Sequence, residues 1–321
     1  MPSGEYQCGY QPCGLILDKC VNFREHEVCN QCVIKPVSAL GNAATLGFLC
    51  NCCRFNHTVP DLTVTGNLQK WSMLENAKRR LFYDLDLLQL PYGDAADGVT
   101  PALAFDFKGN NLPSNNRQHA LNATENIYTG HDGGTITINI IEADPIEREK
   151  ARVSLGEPQR TLLGHFRHEI GHYYWDLLVK NQREQECIAV FGDHNHPGYE
   201  EALEKYYAEG PRADWADVSI SAYATMHPWE DFAETWALYL QIVSELDTAA
   251  NLGIVPSICF RRADLTSMVL ESQRLSIMLN EMSRSLGVMD PMPKPIGAIV
   301  VEKLKFIHRL THGSGETFGA A

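Results

Sequence analysis

The sequence predicts an α+β protein that begins with a small cysteine-rich segment, and three observations carry that prediction. Eight of the ten cysteines lie within the first 53 residues. Apolar residues recur at helical spacing from residue 67 to residue 90, and they alternate with polar residues from 134 to 140. We therefore expect a cysteine-rich domain over residues 1–60 and a larger mixed domain over residues 61–321.

The composition is that of a folded chain with an excess of acidic residues. Of the 321 residues, 44% are hydrophobic and 21% are charged, and the net charge of −13 argues against nucleic-acid or anionic-membrane partners. No stretch reaches the roughly eighteen apolar residues of a membrane span, and the first residues lack the pattern of a signal peptide. We therefore expect a cytoplasmic protein, in which clustered cysteines indicate metal binding more than disulfides.

The cysteine spacing predicts a four-thiolate zinc site of the zinc-ribbon kind. Two Cys-x2-Cys pairs separated by 17 residues supply the expected ligands, Cys29, Cys32, Cys50 and Cys53. Cys20 and Cys52 lie near enough in the sequence to substitute for one of these, and Cys8 with Cys13 could belong to a second, incomplete site. This zinc would be structural.

The charge of the cysteine-rich domain bears on its partners. Residues 1–60 contain four Lys and Arg and four Asp and Glu, so the domain is neutral before thiolates are counted. Binding to nucleic acid then lacks an electrostatic basis. A structural role or the docking of a protein partner is the expected alternative.

The larger domain is predicted to contain three long helices and a strand. The first helix covers residues 67–90 and ends before a proline and a glycine, and "GTITINI" (134–140) reads as a strand with one polar face. A second helix covers "LLGHFRHEIGHYYWDL" (162–177). A loop with a short helix occupies residues 192–216, and a third long helix begins near Pro228.

The second helix contains the H-E-x-x-H pattern. His168 and His172 are four residues apart, so their imidazoles share one face of the helix and can bind the same zinc ion. Glu169 points to a neighbouring direction, where a general base would accept a proton from water. In a chain with twelve histidines the pattern also arises by chance. His165 lies about 10.5 Å from His172 along the axis, which favours a packing role.

A third ligand must come from elsewhere, and the residues leave two candidates. Glu230 and Glu234 in "HPWEDFAETWALYL" lie four apart on the third helix, so one carboxylate could bind the metal while the other orients a ligand histidine. An acidic helix start would explain Glu230 without any metal. It explains Glu234 poorly, because that residue lies between Ala233 and Trp236 in an apolar run.

"HEIGH" followed by "EDFAE" resembles the glutamate-zincin peptidases of the thermolysin and lethal-factor type. The resemblance implies that Glu230 binds the zinc and that Glu234 supports a ligand from behind. Lethal-factor-like members also place a tyrosine seven residues before the ligand glutamate, where it stabilises the oxyanion. The matching residue here is Tyr223, in "SAYATMHPWE". Its alternative is an ordinary core tyrosine.

Longer stretches, among them "LFYDLDLLQLP", "TGHDGGTITINI" and "HPWEDFAETWALYL", resemble the bacterial zinc-binding metallopeptidases that carry an N-terminal zinc ribbon. That resemblance covers nearly the whole chain. It implies a zincin-like domain, one catalytic and one structural zinc ion, and a peptide or protein substrate cut through a metal-activated water. The alternative is a zinc-binding protein with an idle peptidase site that acts as an interaction module.

The strand at residues 134–140 also has an expected role in this reading. With one polar face, it would lie at the edge of a sheet beside the cleft. The backbone of a substrate could then add to that edge.

Overall fold

The computed structural model describes residues 6–7, 16–34, 48–109, 129–155, 161–292 and 295–313. The chain forms two compact units, each made of two segments. The first comprises Met1–Phe82 with Leu103–Arg148, and the second comprises Tyr83–Ala102 with Glu149–Ala321. The predicted α+β class is confirmed, with open sheets, abundant helix and a cluster of cysteines near the start of the chain.

The first unit contains the strands of both sheets. They are β1 (Tyr6–Gln7), β2 (Ile16–Lys19), β3 (Cys32–Ile34), β4 (Asn56–Thr58), β5 (Ala104–Lys108), β6 (Gly130–Asp132) and β7 (Thr135–Asn139). Strands β1, β2 and β3 form an antiparallel sheet in that order. The other sheet has the order β4-β5-β7-β6, in which only β6 runs antiparallel to its neighbour.

The predicted strand is confirmed as β7, but the prediction that it lies at an edge is wrong. Ile136 and Ile138 are buried and alternate with partly exposed polar residues. The strand pairs with β5 on one side and with β6 on the other, because the chain reverses tightly between β6 and β7. Gly133 and Gly134 both have positive φ angles, 54° and 93°, a conformation that glycine adopts readily in such a turn.

The helices of the first unit are α1 (Val21–His26), most of α2 (Asn67–Leu88) and the start of α3 (Pro145–Leu155). The prediction of α2 is confirmed, and its end falls two residues earlier than expected. Gln89 adopts a left-handed conformation (φ 53°), which ends the helix before the proline is reached. Besides apolar residues, the buried face of α2 includes Glu75 and Lys78.

The described helices of the second unit surround one central helix. They are α4 (Leu162–Leu178), α5 (Glu184–Phe191), α6 (Tyr199–Glu209), α7 (Trp215–Val218), α8 (Pro228–Asn251), α9 (Leu265–Ser285) and α10 (Ala298–Gly313). Helix α8 packs against α4, α5, α9 and α10, and most of its residues are buried. Both predicted helices, α4 and α8, are confirmed. Within the described ranges, no helix combines the length and the apolar character that a membrane crossing demands.

Candidate metal centre

Helix α4 carries the HEIGH segment, and its sequence explains why the helix starts where it does. The Thr161 hydroxyl accepts a hydrogen bond from the Gly164 amide at 2.9 Å and so caps the first turn. Apolar residues at helical spacing then bury one stripe of the helix. His168 and His172 follow one turn apart and project from the same side.

Gly171 sets the distance between α4 and α8. A Cβ atom at this position would lie 3.0 Å from Ala233 Cα, 3.1 Å from Trp236 Cβ and 3.2 Å from the Ala233 carbonyl oxygen. Those atoms belong to the buried face of α8, so the two helix backbones approach closely only because residue 171 has no side chain. The close crossing brings the face of α4 that carries His168 and His172 against the first turns of α8.

The start of α8 is also encoded locally. His227 caps the helix, and its Nδ1 accepts a hydrogen bond from the Trp229 amide at 3.1 Å. Pro228 occupies the first turn, where its missing amide hydrogen costs no hydrogen bond. The helix then presents Glu230 and Glu234 one turn apart, both toward α4.

The two histidines and Glu230 form a compact group of potential metal ligands. Nε2 of His168 lies 3.1 Å from Nε2 of His172, and the Glu230 Oε2 atom lies 2.9 Å and 3.5 Å from these two nitrogens. Tetrahedral ligands of one zinc ion stand about 3.3 Å apart. Two imidazoles and one carboxylate are also a donor set that catalytic zinc accepts, with a fourth position left open. The residues therefore fit zinc.

Glu234 lies behind this group and contacts it through a histidine. Its Oε1 atom lies 2.7 Å from Nδ1 of His168, the ring nitrogen that faces away from the ligand cluster. Burial favours the neutral acid, but hydrogen bonds with His168 and Ser221 prevail and lower the pKa of Glu234. The structure thus distinguishes the positions of the two carboxylates, between which the sequence did not choose. Glu230 faces both imidazoles, and Glu234 orients one of them.

Glu169 is buried next to the ligand cluster with only 7% of its surface exposed. Its Oε2 atom has no hydrogen-bond partner in the part of the chain that the structure describes. Burial raises the pKa of this carboxyl, while the neighbouring His168 and His172 oppose that rise. A buried carboxylate with an unused oxygen beside a metal site is suited to accept a proton.

Tyr223 lies at the other side of His168, with its ring centroid 6.2 Å from the imidazole centroid. It is partly exposed, so it does not have the full burial of a core tyrosine. Burial of the hydroxyl raises the pKa of Tyr223, and the hydroxyl forms a hydrogen bond with Tyr199. His165, by contrast, lies outside the ligand group.

Three further residues of this site are not indicated by any sequence motif. The hydroxyl of Tyr199 donates to Glu230 Oε1 at 2.9 Å, and the ring of Trp229 stacks on His172 with centroids 3.6 Å apart. Gly171 permits the helix crossing. Of these three residues, only Gly171 could have been singled out from the sequence, because a glycine inside a helix usually has a packing reason.

Four cysteines of the first unit form a second group of potential ligands, namely Cys20, Cys29, Cys50 and Cys53. All four are buried, and their sulfur atoms lie within 4.8 Å of one another. The Cys29 and Cys50 sulfurs are 3.7 Å apart, close to the about 3.8 Å expected between thiolates on one zinc ion. Backbone amides of Gln31 and Cys53 point at sulfur atoms, an arrangement that stabilises thiolates.

The cysteine group in the structure differs from the predicted set at one position. Cys32 lies on β3 opposite Lys19, where its side chain is exposed and outside the sulfur cluster. Helix α1 spans residues 21–26 and brings the chain on either side of it together, so Cys20 takes the place expected for Cys32. Cys52 is buried apart from the cluster, and burial raises the pKa of its thiol to about 12. Cys8 and Cys13 lie outside the described residues.

A buried ion pair borders the cysteine group. Glu75 and Lys78 are both fully buried, and the Glu75 Oε1 atom accepts hydrogen bonds from Lys78 Nζ at 3.1 Å and Trp71 Nε1 at 3.1 Å. The second oxygen of Glu75 lies 3.7 Å from the Cys53 sulfur. Burial disfavours the lysine charge, but Glu75 prevails and raises the pKa of Lys78. The Glu75 carboxylate of this ion pair therefore contacts the cysteine group.

Comparison with known proteins identifies a family and several relatives. A family described as "Putative zinc-binding metallo-peptidase" matches residues 67–310. Uncharacterized proteins of Mycobacterium bovis and of two strains of Mycobacterium tuberculosis are each 40% identical over 271 residues, which cover 82% of this chain and 76% of the relative. No solved structure is a significant match.

Proposed function

Because this chain belongs to the family described as "Putative zinc-binding metallo-peptidase", we propose that it is a zinc-dependent peptidase that hydrolyses peptide bonds. Family membership supports a peptidase role in general. The observation that carries the proposal for this chain is the convergence of His168, His172 and Glu230, with Glu169 buried beside them.

His168, His172 and Glu230 are the proposed zinc ligands. Glu234 accepts a hydrogen bond from Nδ1 of His168. This bond fixes the tautomer of the imidazole in which Nε2 is free to bind the metal. A bound zinc ion supplies Lewis acidity, which lowers the pKa of a water molecule and polarises a substrate carbonyl.

Glu169 is the proposed general base. It is buried beside the proposed ligands, and its Oε2 atom has no hydrogen-bond partner among the described residues, so it can take a proton from the attacking water and later pass it to the leaving amine. Tyr223 is the proposed oxyanion donor, because its hydroxyl can turn toward negative charge that develops on the carbonyl oxygen. That donation requires Tyr223 to release its hydrogen bond with Tyr199.

We assign a structural zinc ion to Cys20, Cys29, Cys50 and Cys53, which gives two zinc ions per chain. The proposed partners are a peptide or protein substrate and, through the cysteine-rich domain, a second protein. A cytoplasmic location accompanies the proposal, because cysteines that bind a metal and form no disulfides are typical of a reducing compartment.

The decisive experiment compares wild-type protein with the Glu169→Gln variant. Zinc content is measured by elemental analysis, and hydrolysis is measured on a broad peptide library. We expect both proteins to hold equal zinc and only the wild type to cleave, since an amide cannot accept the proton. A wild type that holds zinc at the helix site without cleaving any peptide would favour the idle interaction module. A Glu169→Gln variant that cleaves at the wild-type rate would overturn the mechanism.

A further inference from the structure

Tyr199 contacts one carboxylate oxygen of the proposed metal ligand Glu230 and leaves the other oxygen to face the histidines. The Tyr199 hydroxyl donates to Oε1 at 2.9 Å. The other oxygen, Oε2, faces the imidazoles of His168 and His172 at 2.9 Å and 3.5 Å. One oxygen thus points at the metal position while the other is held by a phenol.

We propose that Tyr199 is a positioning residue for Glu230, a role that rests on the proposed zinc site. A carboxylate beside a metal can rotate and present either one oxygen or both. A hydroxyl bound to Oε1 opposes that rotation and keeps Oε2 as the single ligand atom, which leaves a coordination position for water. Hydrogen bonds to ligand carboxylates are a general means of orienting them and of tuning metal affinity.

The surroundings of Tyr199 show how its hydroxyl is aimed. The ring packs edge-on against His227 at 5.4 Å and against Trp229 at 5.7 Å between centroids. His227 caps α8 and Trp229 stacks on His172, so the tyrosine is held by two residues that come just before Glu230 in the chain. The position of the Tyr199 hydroxyl is therefore fixed relative to the start of α8, which carries Glu230.

Burial alone does not account for a tyrosine at this place. Tyr199 is 37% exposed and is the first residue of α6. Among the described residues of that helix, only Ala202 is buried. Besides its ring contacts with His227 and Trp229, Tyr199 therefore makes an inward contact through its hydroxyl, whereas a core tyrosine contributes chiefly through its ring.

The same hydroxyl also connects Glu230 to Tyr223. The hydroxyl of Tyr223 donates to that of Tyr199, which in turn donates to the carboxylate. The three groups form a chain of hydrogen bonds that ends on the ligand oxygen not needed by the metal. Removal of the Tyr199 hydroxyl would break both links but leave each ring in place.

The test is zinc affinity of the full-length Tyr199→Phe variant, measured by competition with a chromogenic chelator. We expect zinc binding at the helix site to weaken about 10- to 100-fold, as is typical when a group that orients a ligand is lost. With cobalt(II) in place of zinc, the visible absorption of this site should change, because the coordination mode of Glu230 changes. Tyr207→Phe is the matched control, since Tyr207 lies on the same helix and is 68% exposed. It should leave both readouts unaltered.

Glu230→Gln, measured alongside, identifies which of the two zinc-binding steps belongs to the helix site. If Glu230→Gln loses that zinc while Tyr199→Phe binds it like the wild type with an unaltered cobalt spectrum, the positioning role is refuted and the zinc site stands. If Glu230→Gln itself keeps full affinity, the ligand assignment fails, and the inference falls with it. A weakened Tyr199→Phe variant with normal Tyr207→Phe supports the role.

Discussion

Replacement of Gly171 by alanine tests whether the crossing of α4 and α8 determines the metal site. The added Cβ would lie 3.0 Å from Ala233 Cα and 3.2 Å from the Ala233 carbonyl oxygen, both backbone atoms of α8. Ala233 and Trp236 are fully buried, so neither can move aside without shifting the helix. We expect the helices to separate by a few tenths of an ångström.

Two opposing effects determine the stability of the Gly171→Ala variant. Alanine in place of glycine inside a helix stabilises the fold by about 0.8–1.0 kcal/mol. Overpacking a close contact costs about 1–3 kcal/mol. The balance predicts a net loss of about 1 kcal/mol in the free energy of unfolding. Zinc affinity should fall as well, since His168 and His172 move away from Glu230 on the other helix.

Chemical denaturation and chelator competition measure the two effects of the Gly171→Ala substitution. Gly164→Ala is the control on the same helix, because its added Cβ would contact only the Thr161 hydroxyl at 2.9 Å, far from the crossing. That variant should weaken the cap and leave zinc affinity unchanged. A Gly171→Ala variant that gains the full helix-propensity stabilisation over the wild type and binds zinc equally well would contradict this role of the helix crossing.

Three further predictions concern the cysteine group, the supporting carboxylate and the pH dependence of stability. Elemental analysis should show that Cys20→Ser lowers zinc content toward one ion per chain, whereas Cys32→Ser retains two; the reverse result would restore the spacing-based assignment. Glu234→Gln should weaken zinc binding by about 10- to 100-fold, less than Glu230→Gln does, because it only loosens the orientation of a ligand histidine. Chelator competition measures both affinities, and a larger loss in Glu234→Gln than in Glu230→Gln would show that the two glutamates have been assigned the wrong way round. Burial, aided by the neighbouring histidine, lowers the pKa of His308 to about 4, so the unfolded chain binds the proton more readily and stability falls as the pH drops from about 6.5 toward 4. The thermal midpoint should therefore be lower at acidic pH, and His308→Gln should reduce that difference; an equal slope in the variant would exclude this histidine as the cause.

The sequence was most informative where structure depends on local spacing. Periodic apolar residues predicted α2, α4 and α8, and alternation predicted β7, because each pattern reflects one buried face of a single element. His168 and His172 share a face for the same reason. Side chains one turn apart on a helix are neighbours in any fold that keeps the helix.

Local spacing was insufficient where two segments had to meet. Cys32 fitted the Cys-x2-Cys pattern, yet the chain path through α1 brings Cys20 to the sulfur cluster instead. Likewise, the polar face of β7 predicts an edge strand, although β6 pairs with β7 through a tight turn. Side-chain pattern reports burial of a strand's faces and says nothing about the hydrogen bonding of its edges.

Residue spacing alone indicates that His168 and His172 share one helix face beside Glu169, and that a second helix offers two carboxylates one turn apart. The packing of α8 against α4 is what brings Glu230 to both imidazoles and Glu234 behind His168. Glu230 and Glu234 are one helical turn apart, which is about 5.4 Å along the axis of α8. The close approach at Gly171 and Ala233 fixes the position of α8 along α4 more finely than one turn. The spacing of residues within either helix cannot give that position, because it depends on how the two helices pack.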